Sequence, residues 1–239
     1  MFAVRPVGLV KSAFVWRPTI SSDVTNWVLY SQAIAAGWDG VQPLDAVVTV
    51  ASGIVLSANS TSLYGFDTGT GFPAGTTLKL IMPGYVCGMG GAGGPELTNT
   101  APHAGDGLPG GAALRAQYAI TIDATGGVIA GGGGGGSQGA WYTDSYGWRG
   151  AGGRSGRVNS ANGSGITTGS EAGTFAAAGI GKPGDSYYYG GGSGGGWGQS
   201  GGAGGGSTLK GTPGAGGAAV VGNSNITWIN TGTRYGAIT

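Results

Sequence analysis

Apolar and polar positions alternate along residues 46–87. Val47, Val48 and Val50, then Ile54, Val55 and Leu56, form two apolar runs joined by Ala51-Ser52-Gly53. Phe66 follows, then a turn at Phe72-Pro73-Ala74-Gly75, then Leu78 and Leu80 on either side of Lys79, and Tyr85-Val86 closes the stretch. This period of two, rich in β-branched residues, predicts β-structure. Upstream the period changes. Trp27, Tyr30, Ile34 and Trp38 follow helical spacing, Asp23 stands where an N-cap would, and Gly37 or Gly40 supplies a stop. A short helix is predicted over 23–40. Residues 1–22 carry neither period. With Phe2, Phe14, Trp16, Pro6 and Pro18 they read as an apolar attachment arm, or else as a strand of the adjacent module. Near the end, Ala218–Val221, Ile226 and Trp228, a turn at Asn230–Thr233, and Tyr235 with Ile238 predict a closing strand pair.

Between these β-forming pieces the pattern gives way to glycine. The chain has 58 glycines, of which 10 lie outside residues 84–222, leaving 48 within them. Gly131–Gly136 is an unbroken run, and neighbouring runs admit only Ala or Ser. Each glycine costs more backbone entropy on folding than any other residue. Such a tract is therefore either an unfolded linker or a fold that needs bare backbone. Its length, its Trp141, Trp148 and Trp197, and the alternating segment Tyr118–Ile122, which would want a packing partner, favour folding. The fold that needs bare backbone is the polyglycine type II bundle. Its helices have three residues per turn and no internal hydrogen bonds, so each must bond to its neighbours. The predicted class is thus mainly β and irregular. A small N-terminal β module with one short helix precedes a polyglycine II bundle, and the strand pair closes it. The corresponding division is 1–22, 23–87, 88–217 and 218–239.

Charge and cysteine content narrow the function. Eleven Lys and Arg stand against ten Asp and Glu, which gives no basic footprint for nucleic acid. No apolar stretch is long enough to span a membrane. A single cysteine, Cys87, and a single histidine, His103, exclude a disulfide framework and any Cys- or His-cluster metal site. The few acids are scattered, and no catalytic constellation or cofactor motif is visible, so the chain is read as a non-enzyme. What it does carry is recognition chemistry. Trp141, Tyr142, Tyr146, Trp148 and Arg149 crowd nine positions, Tyr187, Tyr188 and Tyr189 follow Lys182, and Arg154 and Trp197 complete the candidate receptor-binding set. Rigid aromatics, arginine and small polar residues are the usual material of binding loops. Phe2, Phe14 and Trp16 are the candidate attachment residues.

Residues 45–239 resemble tail proteins of tailed bacteriophages. The resemblance rests on Phe66-Asp67-Thr68-Gly69, Phe72–Leu78 and Gly91–Gly94, on Ile120–Asp123 leading into Gly127–Gly131, and on the closure from Val220 to Gly236. The glycine architecture is similar to that of the adhesins that cap the long tail fibres of T-even-like phages. In that family a layered polyglycine II core carries receptor-binding loops. The resemblance implies a tail adhesin on the virion, made in the host cytoplasm. Its partners would be a bacterial surface receptor (protein, pilus or polysaccharide) and other phage tail or baseplate proteins. A homotrimer and a single-chain bundle both stay open. The alternative is a structural tail-tip or baseplate protein without receptor contact. An ice-binding bundle is disfavoured by the bulky loops, and a capsule-degrading enzyme by the scarcity of acids.

Overall fold

The alternating segments wind into a three-faced parallel solenoid. The computed structural model describes residues 12–95, 105–139, 148–161, 170–184, 189–206 and 211–239. Each rung visits the three faces in turn. The first rung places β1 (Phe14–Trp16) and β2 (Thr19–Ile20) on the first face, β3 (Val24–Thr25) on the second and β4 (Trp27–Val28) on the third. A helix, α1 (Leu29–Ala35), then leads to the second rung. That rung comprises β5 (Leu44–Val50), β6 (Val55–Ser57) and β7 (Phe66–Asp67). The third comprises β8 (Thr77–Ile81), β9 (Tyr85–Cys87) and β10 (Leu114–Arg115). The fourth has β11 (Ile120–Asp123), β12 (Val128–Ala130) and β13 (Val220–Val221). The fifth has β14 (Ile226–Asn230) and β15 (Thr233–Tyr235), and a bridge from Ile238 to Val220 ends it. Among the described residues the strand pairs are all parallel, because each rung lies on the one before it.

Alternation in the sequence becomes inside and outside. Along β5, Leu44, Ala46, Val48 and Val50 are buried, while Asp45, Val47 and Thr49 face outward and stay half-exposed. The register stacks the inward residues into ladders. Val48 lies beside Leu80, Leu80 beside Ile122, and Ile122 beside Trp228. On the second face the ladder is Val24, Leu56, Val86 and Ile129. On the third it is Trp27, Phe66, Leu114 and Val220, with the Trp27 and Phe66 rings stacked at 5.4 Å. The segment around Ile120 and Ile122 finds its partner on both sides, in β8 and β14.

Three local expectations change. The helix spans Leu29–Ala35 only, and Asp23 does not cap it: the N-cap is Val28, with no side-chain cap bond. Asp23 instead accepts the Val55 amide at 2.8 Å and pairs with Arg157. Trp27 belongs to β4, where burial inside the solenoid overrides its helical spacing. At the end of the chain, β14 and β15 are not paired with each other. Gly232, at φ +59°, turns the chain from the first face to the second, and each strand extends a different sheet. The β-forming runs around Val47–Val50 and Val55–Leu56 likewise sit on different faces, so they are successive sides of one rung.

The glycine tract leaves the solenoid at one corner, between the second and third faces. That corner is a single residue, Asn26, in the first rung, and residues 58–65 in the second. In the third rung it grows to residues 88–113, and in the fourth to 131–219. Residues 114–130 lie in the solenoid between the two large insertions. The insertions form an array of segments joined by backbone hydrogen bonds. Residues 131–139 run through its middle and bond to six others: 88–94, 105–111, 148–154, 192–198, 199–202 and 214–217. The bonds recur every third residue. Gly132, Gly135 and Gln138 donate to the carbonyls of Gly111, Leu108 and Gly105, while Gly133, Gly136 and Gly139 donate to Arg154, Ala151 and Trp148. Gly91 and Gly94 donate in turn to Gly133 and Gly136, at 2.8 Å each. Each residue from 132 to 137 therefore donates to one neighbour and accepts from another. A Cβ added at any of Gly131–Gly136 would overlap a backbone carbonyl of an adjoining segment: Gly217, Met89, Gly195, Gly214, Ala92 and Gly192 in order.

Candidate receptor-facing site

The hydrogen-bond register gives the array a near and a far end. Residues 88, 111, 131, 154, 198 and 217 lie beside the solenoid, since they bond to or continue directly from its last strand residues and the start of the central segment. Following each segment outward reaches residues 94, 105, 139, 148, 190, 204 and 211 at the far end. Gly105 donates to Gln138 Oε1 at 2.8 Å there, and Gly204 donates to Ser137 Oγ at 2.9 Å. Both polar side chains are buried, and each is satisfied by backbone.

Of the candidate receptor residues, Trp148, Arg149 and Tyr189 lie at this far end. The Trp148 amide donates to the Tyr189 carbonyl at 2.9 Å, and Gly139 donates to the Trp148 carbonyl at 3.0 Å. The Trp148 ring is buried under Lys182, whose Nζ sits 3.2 Å from the ring centroid, a cation–π contact. Tyr189 is exposed. Lys182 was not among the candidates, and its nearness to Tyr187–Tyr189 in sequence was the available signal. Trp141, Tyr142, Tyr146, Tyr187 and Tyr188 lie outside the described residues, as does His103.

Trp197 and Arg154 stand at the opposite end, against the second face of the solenoid. Trp197 is buried and donates Nε1 to the Ser155 carbonyl at 3.1 Å, and Arg154 lies over its ring at 3.6 Å. Phe175, Tyr85 and Tyr235 surround it, with ring centroids 5.4, 6.5 and 5.8 Å away. With Val55, Cys87 and Ala130 these rings make a second apolar core, which joins the array to the outer surface of β6, β9, β12 and β15. Burial there pushes the Cys87 thiol up to about 12, only partly opposed by the positive charge of Arg154 and Arg157. Sequence reasoning had no means of separating a ring that covers the solenoid from one that faces outward, because both kinds sit among glycines.

The candidate attachment residues Phe14 and Trp16 lie in β1, and Phe2 is outside the described residues. Both rings are half-buried at the start of the solenoid, and Trp16 stacks on Trp27 at 6.2 Å. They face the interior of a rung that has no further described rung above it.

Among curated proteins, none matches the chain. A solved structure does: the crystal structure of the gp37–gp38 adhesin tip complex of the bacteriophage S16 long tail fibre. The likeness has a TM-score of 0.66 at 25% identity, and covers 95% of this chain and 82% of that one. The sequence profile of the phage tail fibre adhesin Gp38 matches residues 16–239, nearly the whole length. A mainly β chain with one short helix, glycine-rich insertions at a single corner and this match belongs to the phage tail fibre adhesin family.

Proposed function

We propose that this adhesin binds a host-cell surface receptor through loops held at the far end of a polyglycine II bundle, while the first rung of its solenoid docks on a second tail protein. One observation carries the reading. The described residues that flank 96–104, 140–147, 185–188 and 207–210 all lie at the end of the array remote from the solenoid. Those stretches hold Trp141, Tyr142, Tyr146, Tyr187 and Tyr188, and Trp148, Arg149 and Tyr189 stand at their bases. Bonding at every third residue and six neighbours around one segment are what three-residue-per-turn helices without internal bonds require. At the polyproline II rise, residues 131–139 would reach about 28 Å. A scaffold bonded through its backbone leaves its loops free to carry aromatics. These offer large contact area at low entropy cost.

The docking half of the proposal rests on Phe14 and Trp16, apolar rings half-exposed in the first described rung. The S16 neighbour comes from a complex of two tail-fibre proteins, which supports a fibre partner for this chain. Binding of the purified protein to host cells tests the receptor half. Trp141→Ala and Tyr188→Ala should each weaken adsorption by about 2 kcal/mol at a hot spot while leaving thermal unfolding unchanged. If both variants adsorb like the parent, the structural tail-tip reading takes over.

A further inference from the structure

We propose that the docking end of the solenoid is a composite of first rung and array, and that the cleft closed by Arg157 takes a carboxylate-bearing segment of a second tail protein. The proposal rests on the reading that the first rung is the docking end. Arg157 lies in the glycine-rich insertion, yet its side chain reaches back to the first rung of the solenoid. Its amide donates to Ser57 Oγ at 2.8 Å, its Nε donates to Asp23 Oδ2 at 2.8 Å, and its guanidinium carbon lies 4.6 Å from the Phe175 ring centroid. Asp23 is engaged on its other oxygen by the Val55 amide. The two residues, far apart in sequence, wall a cleft of about 460 Å³ together with Val24, Thr25, Trp27 and Gln32.

Arg157 and Asp23 balance one another in charge here, so what distinguishes the cleft is the set of donors that their pairing leaves unused. Trp27 and Val24 supply its apolar lining. Its single carboxylate, Asp23, already accepts a hydrogen bond on each oxygen. The guanidinium amino groups of Arg157, the Gln32 amide and the Thr25 hydroxyl remain as donors. A surplus of donors beside an arginine fork suits a carboxylate, which accepts two parallel N–H bonds. Because Arg157 arrives only when the array packs on the second face, an adhesin with an unfolded array would present an incomplete docking surface. Incorporation into the fibre would then select folded adhesins.

The test uses the full-length adhesin and the immobilised tail-fibre protein of the same virus. Arg157→Ala should weaken capture about ten-fold or more, with cell adsorption by the free adhesin and its thermal midpoint near those of the parent. Gln32→Glu, an exposed helix position, puts a like charge into the cleft and should also weaken capture without touching the array. Capture of the parent should fall as NaCl rises from about 0.05 to about 0.5 M, as screening of a charged contact requires. Trp16→Ala is the reference for the docking reading. If Trp16→Ala loses capture while Arg157→Ala and Gln32→Glu keep it, the cleft has no part in docking and the proposal fails. If none of the three loses capture, the docking reading itself fails.

Discussion

The solenoid and the glycine array are two solutions to burying backbone. In the solenoid the chain is held by side chains that face inward, and Leu44, Val48, Leu56, Phe66, Leu80 and Ile122 are wholly buried. Its backbone pairs strand to strand, and stability comes from apolar surface removed from water. In the array almost nothing apolar is buried at the centre. Residues 132–137 each donate and accept a backbone bond with different neighbours, and at Gly131–Gly136 the space a side chain would fill is taken by carbonyls. Hydrogen bonds contribute modestly one by one, but a buried one left unmade is costly. The solenoid should therefore tolerate changes of side-chain size by degrees, whereas the array should fail at a Cβ placed where a neighbouring carbonyl already stands, as along Gly131–Gly136.

The sharpest break of that comparison is Gly134→Val. The new Cβ would overlap the Gly214 carbonyl and separate the central segment from residues 211–217. We expect more than about 4 kcal/mol of destabilisation, read as loss of the folded array in thermal unfolding, and nearly as much for Gly134→Ala. Gly202→Ala is the control, since its closest neighbours stand at 3.3 Å. A chain that accepted valine at 134 would hold its array by something other than close backbone contact.

Trp197→Ala comes next, because it attacks the join between the two regions. Removing a buried indole costs about 3–5 kcal/mol, and the ring also anchors Arg154 and Phe175. Cys87 reports on the join, since it is buried in the same apolar core. In the parent a thiol reagent should label Cys87 slowly, and in Trp197→Ala quickly, before global unfolding. The raised thiol pKa gives a matching alkaline signature. The unfolded chain releases its proton near 9.0 and the folded one only near 12, so stability should fall as pH rises between these values. Cys87→Ser should remove that slope. Leu80→Ala, a comparable truncation inside the solenoid, should cost about 2–5 kcal/mol, with Cys87 labelling rising only as the whole chain unfolds.

Much of this division was legible in the sequence, and the reasons it stopped short are physical. The alternation around Val47, Leu78 and Ile120 marked the strands, because one buried face imposes a period of two. The solenoid itself was hidden. The strands of its first face begin at residues 14, 44, 77, 120 and 226, and insertions at one corner erase any repeat length. The helix was over-extended because Trp27, inside the third face, falls by chance on helical spacing with Tyr30 and Ile34. The bare-backbone requirement was visible in the glycine runs, since no other composition permits such contact. Which aromatics face outward was not. Trp148 and Trp197 have similar glycine-rich surroundings, and only the hydrogen-bond register assigns one to the far end and the other to the join.

The smallest expected effect belongs to the outward surface of the solenoid. Asp45 projects from β5 and accepts a hydrogen bond from Thr77 at 2.9 Å while pairing with Arg17 at 2.5 Å. The Arg17 hydrogen bond, with that from Thr77, holds its carboxyl below the ordinary 3.8. A depressed carboxyl contributes stability that is present above the unfolded value and lost as pH falls through the folded one. The loss should therefore begin only below about pH 4 and leave the range from 5 to 8 flat. Both partners are more than a third exposed, so the pair is screened by water and salt and worth at most about 1 kcal/mol. Asp45→Asn should shift the urea midpoint slightly at neutral pH, and its difference from the parent should shrink as pH falls below about 4 and the Asp45 carboxylate takes up its proton. Arg17→Gln should behave alike, since it removes the same partner from the other side. A large neutral-pH effect from either change would mean that the solenoid depends on its outer surface as the array depends on its backbone, and the contrast between the two regions would narrow accordingly.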